Sequence, residues 1–425
     1  VAIGYAAGNA LTDGQYNTAI GYEALKVHTT GHSNIAIGYQ AMDDTDAGST
    51  SLASQNNLAI GRDSMGGTWA DASVQYNVAL GNYTLAGALN GAESNTALGY
   101  GAAYGLTSGD SNIAIGHNSM NVHTTGARNI AIGHSAMLDT NAGSTSLGST
   151  DNIFMGYNAG GGTWADAASN YNIGIGNYAL DGALNGAGYN TAVGYEALSA
   201  VTTADDNVAL GFRSFLSLTT GARNVGVGTS TGRNTTVATD TVHVGDEAGR
   251  YATGSYNTFV GSDAGKGGTT SAPYSSGESN TAVGFAALDA FTTGDANVAV
   301  GPNALNSLNT GYRNIAIGDR AGNSITSGAS GVYIGYLAGY GGNQGGNVAI
   351  GSEALFTANG NSNVAIGYQA GRYTTTNDSI WIGAGAGSTG AGGGQSVLVG
   401  HYAGRYIVGS QVTYLGWGAG KYASG

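Results

Sequence analysis

The residues that could do chemistry in this sequence are few, and they lie in segments rich in Gly, Thr and Asp. Among 425 residues there are 26 Asp and Glu, 13 Lys and Arg, seven His and no Cys. Cleavage of a polysaccharide needs two carboxylates held together for acid–base catalysis. The acidic residues Asp43, Asp44 and Asp46 instead form a turn-like DDTD segment. We interpret them as a solvated surface and predict no catalytic residue.

Metal, cofactor and nucleic-acid binding have equally weak signals. His117 and His134 follow two equivalent AIG strings, 17 residues apart, and could meet on a surface, but exposed histidines explain them as well. The Gly-rich stretches 383–387 and 392–394 lack the Lys-Ser/Thr of a phosphate-binding loop. The net charge of −13 opposes binding to a phosphate backbone. We therefore expect no metal, no cofactor and no nucleic-acid partner.

Candidate ligand-binding residues lie in the segments that interrupt an otherwise regular spacing, 43–56, 138–151 and 265–279. Two GTWADA segments place Trp69 and Trp164 in neighbouring loops, and aromatic rings on a polar surface suit sugar faces and protein hot spots. The alternative is that each Trp fixes its own loop. The full set of candidate binding residues is Trp69, Trp164, Asp43, Asp44, Asp46, Lys266 and Tyr274.

One motif, Asn-x-Ala-Ile-Gly or a variant of it, recurs along the whole chain. It reads NIAIG at 34–38, at 129–133 and at 314–318. Aligned on the final Gly, 24 copies run from Gly4 to Gly416 with a mean spacing of about 18 residues. Repeats of this length are typical of solenoids, in which each coil is stable only when stacked on its neighbours.

Each position of the repeat has a physical role. Apolar, often β-branched residues before the Gly favour a short strand, and Asn tolerates left-handed backbone and can form side-chain ladders. The third residue after the Gly is small, which indicates a tight corner and a return as a second strand. We take as representative structural residues Asn34, Ile37, Gly38, Ala41, Asn129, Ile132, Gly133, Asn314, Ile317 and Gly318.

The organisation follows from a second, longer period. VHTTG and GTWADA each recur 95 residues apart, so a block of five coils is duplicated, at 17–111 and 112–206. More regular coils follow at 207–425. The pattern predicts one continuous array over 1–425, an all-β parallel β-solenoid of about 24 short coils.

The strand pattern also predicts association of identical chains. Ile-Ala-Ile is apolar at three consecutive positions, which indicates a strand buried on both faces. One face can fill the interior of the coil, and another copy of the chain can cover the other face. We expect a homotrimeric rod; the alternative is a monomeric solenoid with a covered inner face.

The NxAIGxxA unit resembles the head repeat of YadA-type trimeric autotransporter adhesins. The longer coils, with TTG turns and phrases such as NIAIGYQAM and NTAVGYEAL, are similar to repeats of phage tail fibre proteins. This resemblance covers essentially the whole chain. It implies a left-handed parallel β-roll in a three-chain bundle, although coils of 16 to 23 residues are longer than the adhesin unit.

These observations predict a structural protein, not an enzyme: an extracellular shaft on a virion tail or cell surface that mediates host attachment. The first hypothesis is a phage tail fibre, and the alternative is a bacterial surface adhesin or extracellular filament. More remote are a polysaccharide-acting tailspike and a hexapeptide-repeat acyltransferase, which would show an aliphatic residue every six positions. The expected partners are the chain itself and a cell-surface polysaccharide or protein receptor. No apolar run approaches the ~20 residues of a membrane span, so we expect no membrane insertion.

Overall fold

Every copy of the repeat forms one short strand, at the residues that directly precede the final Gly. This is seen in a computed structural model of the protein, which describes residues 1–43, 54–69, 72–138, 148–342, 345–357, 360–389 and 394–423. The chain divides into two units, Val1–Gly221 and Ala222–Gly425. The described residues contain no α-helix.

The first unit holds twelve strands, and each pairs with the next in parallel and in register. Ala36, for example, lies opposite Ala59. The strands are β1 (Ala2–Ile3), β2 (Thr18–Ile20), β3 (Ile35–Ile37), β4 (Leu58–Ile60), β5 (Val78–Leu80), β6 (Thr96–Leu98), β7 (Ile113–Ile115), β8 (Ile130–Ile132), β9 (Ile153–Met155), β10 (Ile173–Ile175), β11 (Thr191–Val193) and β12 (Val208–Leu210).

The second unit has the same construction, again with twelve strands paired in parallel. The strands are β13 (Val225–Val227), β14 (Val242–Val244), β15 (Thr258–Val260), β16 (Thr281–Val283), β17 (Val298–Val300), β18 (Ile315–Ile317), β19 (Val332–Ile334), β20 (Val348–Ile350), β21 (Val364–Ile366), β22 (Ile380–Ile382), β23 (Val397–Val399) and β24 (Thr413–Leu415). Each unit is therefore an all-β parallel β-solenoid, as predicted.

Successive strand side chains point to opposite faces. The middle residue of β3, Ala36, is fully buried inside its coil, while Ile35 and Ile37 point outward. Ala41, the small residue after the strand, is also fully buried. A single chain thus buries only one face of each strand, and the apolar residues on either side of Ala36 are left on the surface.

The prediction of a second strand in each coil is wrong for the described residues. The second and fourth residues after the strand-ending Gly adopt left-handed backbone, as at Glu23 (φ 55°) and Leu25 (φ 52°). Left-handed residues at alternate positions turn the chain and cannot belong to an extended strand. Each coil consists of one strand and a series of turns, with only isolated bridges elsewhere, such as the one between Gln55 and Gln75.

A buried Asn ladder fixes the start of most strands. The Nδ2 of Asn34 donates to the carbonyl of Ser54 at 2.8 Å, and its Oδ1 accepts from the backbone N–H of Asn57 at 3.1 Å. Asn129 and Asn314 make the same bonds to their next coils. Buried backbone groups at this corner are therefore satisfied by a side chain of the neighbouring coil.

The strand-ending Gly forms a second column. Gly38, Gly133 and Gly318 have φ values of 143°, 135° and 131°, a region that L-residues rarely adopt. A Cβ on Gly133 would also lie 2.3 Å from the carbonyl oxygen of Gly156 in the next coil. The two constraints together require Gly at this position in each coil.

In several coils, the size of the inward strand residue is matched to the size of the fourth residue after the strand-ending Gly. Where the inward strand residue is Ala299, the fourth residue after the strand-ending Gly is Leu305, and both are buried. Where it is Phe259, the fourth residue is Gly265, whose Cβ would lie 2.4 Å from the Phe259 ring. The same exchange pairs Phe154 with Gly160, His243 with Gly249, Tyr333 with Gly339, Trp381 with Gly387, and Leu398 with Gly404.

Candidate functional site

The first candidate surface is the outward column, which we define as the third strand residue of every coil. In the first unit it consists of Ile3, Ile20, Ile37, Ile60, Leu80, Leu98, Ile115, Ile132, Met155, Ile175, Val193 and Leu210. In the second unit it consists of Val227, Val244, Val260, Val283, Val300, Ile317, Ile334, Ile350, Ile366, Ile382, Val399 and Leu415. All are apolar, and exposure is 44% at Leu98 and 41% at Ile317 and reaches 59% at Ile3 and 67% at Leu415. Each unit therefore presents an uninterrupted apolar stripe.

The second candidate surface is the aromatic column of the first unit, formed by residues that follow the strand-ending Gly. Tyr5, Tyr22 and Tyr39 stack with ring centroids 5.2 Å apart at both steps. A second run comprises Tyr100, His117, His134 and Tyr157, with steps of 5.3, 4.9 and 5.3 Å. The spacing follows from the parallel register, which places equivalent side chains about 4.8 Å apart.

The aromatic column is broken between these two runs. The guanidinium of Arg62 lies over the rings of Tyr39 and Tyr83, at 5.5 and 5.6 Å. Tyr83 then meets Tyr100 at an interplanar angle of 71° instead of stacking on it. Arg62 and Tyr83 thus interrupt the stacking, and the surface here is less regular than in the two stacked runs.

The structure places Trp69 and Trp164 inside their coils, each only 1% exposed. The indole Nε1 of Trp69 donates to the carbonyl of Met65, and that of Trp164 donates to the carbonyl of Gly160, both at 3.1 Å. The rings fix their own loops, as in the alternative considered above. They are out of reach of a ligand on the surface.

The other candidate binding residues differ in their surroundings. Asp43 is buried, and Asp44 and Asp46 lie outside the described residues. Lys266 pairs with Glu247 at 2.7 Å and with Asp263 at 2.9 Å, and these carboxylates raise the pKa of its ammonium group. The cation therefore has acidic partners within the chain.

Tyr274 belongs to the third long loop, 265–279. Its hydroxyl accepts a hydrogen bond from Asn234 Nδ2 at 3.0 Å, and its ring stacks on Tyr251 at 6.0 Å. This contact joins residues 40 positions apart, so the loop lies along its own coils. Tyr274 lies in the second unit, whereas Trp69 and Trp164 lie in the first.

The acidic groups offer little for acid–base catalysis. Arg128 binds both carboxylate oxygens of Asp151, at 2.6 and 2.7 Å, and this hydrogen bonding lowers the Asp151 pKa. Asp181 differs, because burial raises its pKa to about 6, with a smaller contribution from Glu196. Glu196 itself accepts from Arg213 Nε at 2.7 Å. An ion pair of this kind is a structural arrangement, not a pair of carboxylates free to exchange protons with a substrate.

The histidines divide into exposed and buried groups. His117 and His134 stack in the exposed aromatic column, whereas His28 and His243 are fully buried. Burial lowers the pKa of His28 to about 4 and that of His243 to about 3, so both are neutral at pH 7. Within the described ranges, three or more potential metal-ligating side chains nowhere gather into a group.

Comparison with known protein families and with curated proteins found no match to the chain. Among the residues that the structure describes, no helix could span a membrane.

Proposed function

We propose that the protein is a structural fibre or shaft, in which three identical chains associate through their outward columns to mediate attachment to a cell surface. A phage tail fibre is the first form of this proposal, and its location is extracellular, on a virion tail. A bacterial surface adhesin or extracellular filament is the second form. The resemblance of the NxAIGxxA unit to YadA-type adhesin heads favours this second form.

The outward column is the observation that supports the proposal. Twelve coils at about 4.8 Å per step give a stripe roughly 53 Å long in each unit. Soluble monomers rarely expose continuous apolar patches of more than a few hundred Å², and larger patches mark interfaces. The chain has no layer of helices to cover the stripe within its described residues. A second and a third copy of the same stripe supply an apolar surface of matching length.

Repetition also suits a mechanical role. Each coil bonds its neighbours through a strand, a run of turns and, in most coils, an Asn. A unit is therefore a stack of similar coils. Such a unit can hold a binding surface away from its attachment point. The exposed aromatic column supplies side chains of the kind found at recognition surfaces.

The mass of the assembled particle tests this proposal. By multi-angle light scattering, we expect a single species of three times 42.1 kDa. The double variant Ile132→Lys/Ile317→Lys places one charge on each stripe and should lower the mass to that of one chain, because an unpaired buried charge is strongly unfavourable.

The matched control is the double variant Ser33→Lys/Ser330→Lys. Both serines are exposed and lie two residues before a strand, at the position that Arg128 occupies in another coil. We expect the control to keep the mass of the wild-type particle. A wild-type monomer would contradict the trimer, and a trimer that survives Ile132→Lys/Ile317→Lys would contradict association through the outward columns.

A further inference from the structure

The break in the aromatic column contains a notch of about 310 Å³, lined by Tyr83, Tyr100, Gly101, Tyr104, Asn118 and Asn121. The cause is Gly101, the second residue after a strand-ending Gly. At the same position, the preceding coil carries Tyr83 and the following coil carries Asn118. A missing side chain in one coil therefore leaves a gap between the side chains of its two neighbours.

Aromatic surface forms one part of the lining. Tyr100 and Tyr104 are 51% and 46% exposed. Tyr100 stacks on His117 at an interplanar angle of 11°, but it meets Tyr83 at 71°. Two rings at this angle cannot cover each other, so part of an aromatic face remains free to border the notch.

Amide groups form the other part of the lining. A Cβ on Gly101 would lie 2.6 Å from Asn118 Oδ1, so this acceptor is directed into the gap. Asn121 Nδ2 donates to the Gly101 carbonyl at 2.9 Å, which fixes the second amide at the edge of the gap. All six lining residues are uncharged.

The coils 95 residues further along show what closes such a notch. They carry Glu196 in place of Gly101, Arg213 in place of Asn118 and Ser199 in place of Tyr104. Glu196 and Arg213 form an ion pair at 2.7 Å, and the Arg213 guanidinium lies over the Tyr195 ring at 5.9 Å. The two sets of coils thus share a backbone but carry different chemistry at this point.

We propose that the notch at Gly101 binds one neutral sugar residue of a cell-surface glycan. A pyranose ring has an apolar C–H face that packs on an aromatic ring and a rim of hydroxyls that bond amide donors and acceptors. The volume lies at the lower end of the range for ligand pockets, about 300–1,000 Å³, and so fits a single ring. An uncharged lining favours a neutral sugar over an acidic one, because an anion would be desolvated without a cation. This inference rests on the proposed attachment function and specifies its ligand.

Saturation-transfer NMR with the full chain tests the notch directly. The probes are the methyl glycosides of glucose, galactose, mannose and N-acetylglucosamine, with methyl glucuronide as the acidic probe and N-acetyl-tyrosine amide as the peptide probe. We expect at least one neutral glycoside to bind with millimolar affinity, as befits a ligand of about 12 non-hydrogen atoms. The acidic and peptide probes should bind at least tenfold more weakly.

The double variant Gly101→Glu/Asn118→Arg copies the pair of Glu196 and Arg213 and should weaken glycoside binding at least tenfold. Glu196 has a φ of 53°, so the backbone at this position accepts a side chain. Tyr104→Ser, which copies Ser199, should weaken binding at least threefold. The control Tyr22→His changes the same column away from the notch, to the residue found at His117, and should bind as the wild type does.

The result would overturn the notch proposal if no neutral glycoside binds, if the peptide probe binds more tightly than all of them, or if binding persists in Gly101→Glu/Asn118→Arg. Particle mass is measured separately and reports only on assembly. A trimer that binds no glycoside refutes the notch and leaves the shaft intact, whereas a monomer that binds a glycoside refutes the trimer and leaves the notch intact.

Discussion

Single residues set the geometry of a coil through backbone conformation more than through side-chain size. The strand-ending Gly combines a φ near 130° with contact to the same Gly of the next coil. The Asn before most strands supplies bonds that the backbone of the next coil needs. A position with two such constraints tolerates no substitution, while a left-handed position that faces solvent accepts Tyr16, Ser33 or Arg128.

Gly133→Ala should therefore destabilise the first unit severely. The added Cβ would lie 2.3 Å from the Gly156 oxygen and would force Ala to a φ of 135°. We expect a loss of at least about 3 kcal/mol in the free energy of unfolding, since strain and overlap add. Urea denaturation followed by circular dichroism measures it.

The control for this prediction is Gly346→Ser. Gly346 has a φ of 73°, its Cβ would have no atom closer than 3.5 Å, and Ser362 occupies the same position one coil later. We expect a change of less than about 1 kcal/mol for this surface site. Equal losses in Gly133→Ala and Gly346→Ser would refute the argument from close contact.

At the scale of the element, the inward strand residue of a coil and the fourth residue after its strand-ending Gly share one space in the core. A Phe on the strand accompanies a Gly at the fourth position after the strand-ending Gly, and an Ala often accompanies a Leu or Met there. Ala316 and Ala365 instead accompany Gly322 and Gly371, whose space is filled by side chains of neighbouring coils. The sequence shows that this fourth position is usually Leu, Met or Gly, but it does not show which choice belongs to which strand residue until the side chains are seen to share one space. Close packing of the interior favours the exchange.

Phe259→Ala should cost about 3–5 kcal/mol, the usual range for loss of a buried aromatic side chain. The double variant Phe259→Ala/Gly265→Leu copies the Ala299 and Leu305 pair and should recover most of that loss. Leu305 has a φ of 48° and Gly265 one of 52°, so the backbone need not change. Thermal denaturation of both variants and of Gly265→Leu alone completes the cycle.

Gly265→Leu alone should be destabilising, because the new side chain would overlap the Phe259 ring. If the effects of the two single variants simply add in the double variant, the exchange does not reflect a shared space.

At the scale of the whole molecule, each unit carries a neutral histidine in its core. His28 lies in the first unit, edge to face with Trp69 at 5.1 Å, and His243 lies in the second, stacked on Phe259 at 5.1 Å. Their folded-state pKa values of about 4 and about 3 lie below the ordinary value of 6.5. Since the unfolded chain binds these protons first, both units lose stability as the pH falls from about 6.5 toward 3.

His243→Phe should make the second unit less sensitive to acid. Phe259 occupies the same inward position one coil later, so the ring fits. We expect little change in the free energy of unfolding at pH 7.5. At pH 4 the variant should be more stable than the wild type by on the order of 2–3 kcal/mol, because protonation of His243 in the unfolded chain no longer occurs. Chemical denaturation across pH 4 to 8 measures the difference.

His401→Tyr is the matched control, because His401 is exposed and Tyr368 occupies its position two coils earlier. Its pH dependence should follow that of the wild type. A His243→Phe variant with the same loss of stability in acid as the wild type would show that the buried ring does not cause it.

Much of the fold could be predicted because the repeat registers every strand against its neighbour. The direction in which each side chain points was harder to predict, since Trp69 lies in a polar segment and only its packing shows that it points inward. The notch was missed because it is an absence, the missing side chain of Gly101. A comparison of the two copies of the 95-residue block, Gly101 against Glu196, is the signal that could have found it.

The parallel register has a consequence for how such a protein changes over time. Thr18 and Ile113 hold the same place in their coils, and the bonds that each offers to a neighbour have the same form. Unequal recombination between the two copies would remove or add five coils and still join one Asn ladder to the next. Length can then vary by whole blocks of coils during evolution while every contact between neighbouring coils keeps its form.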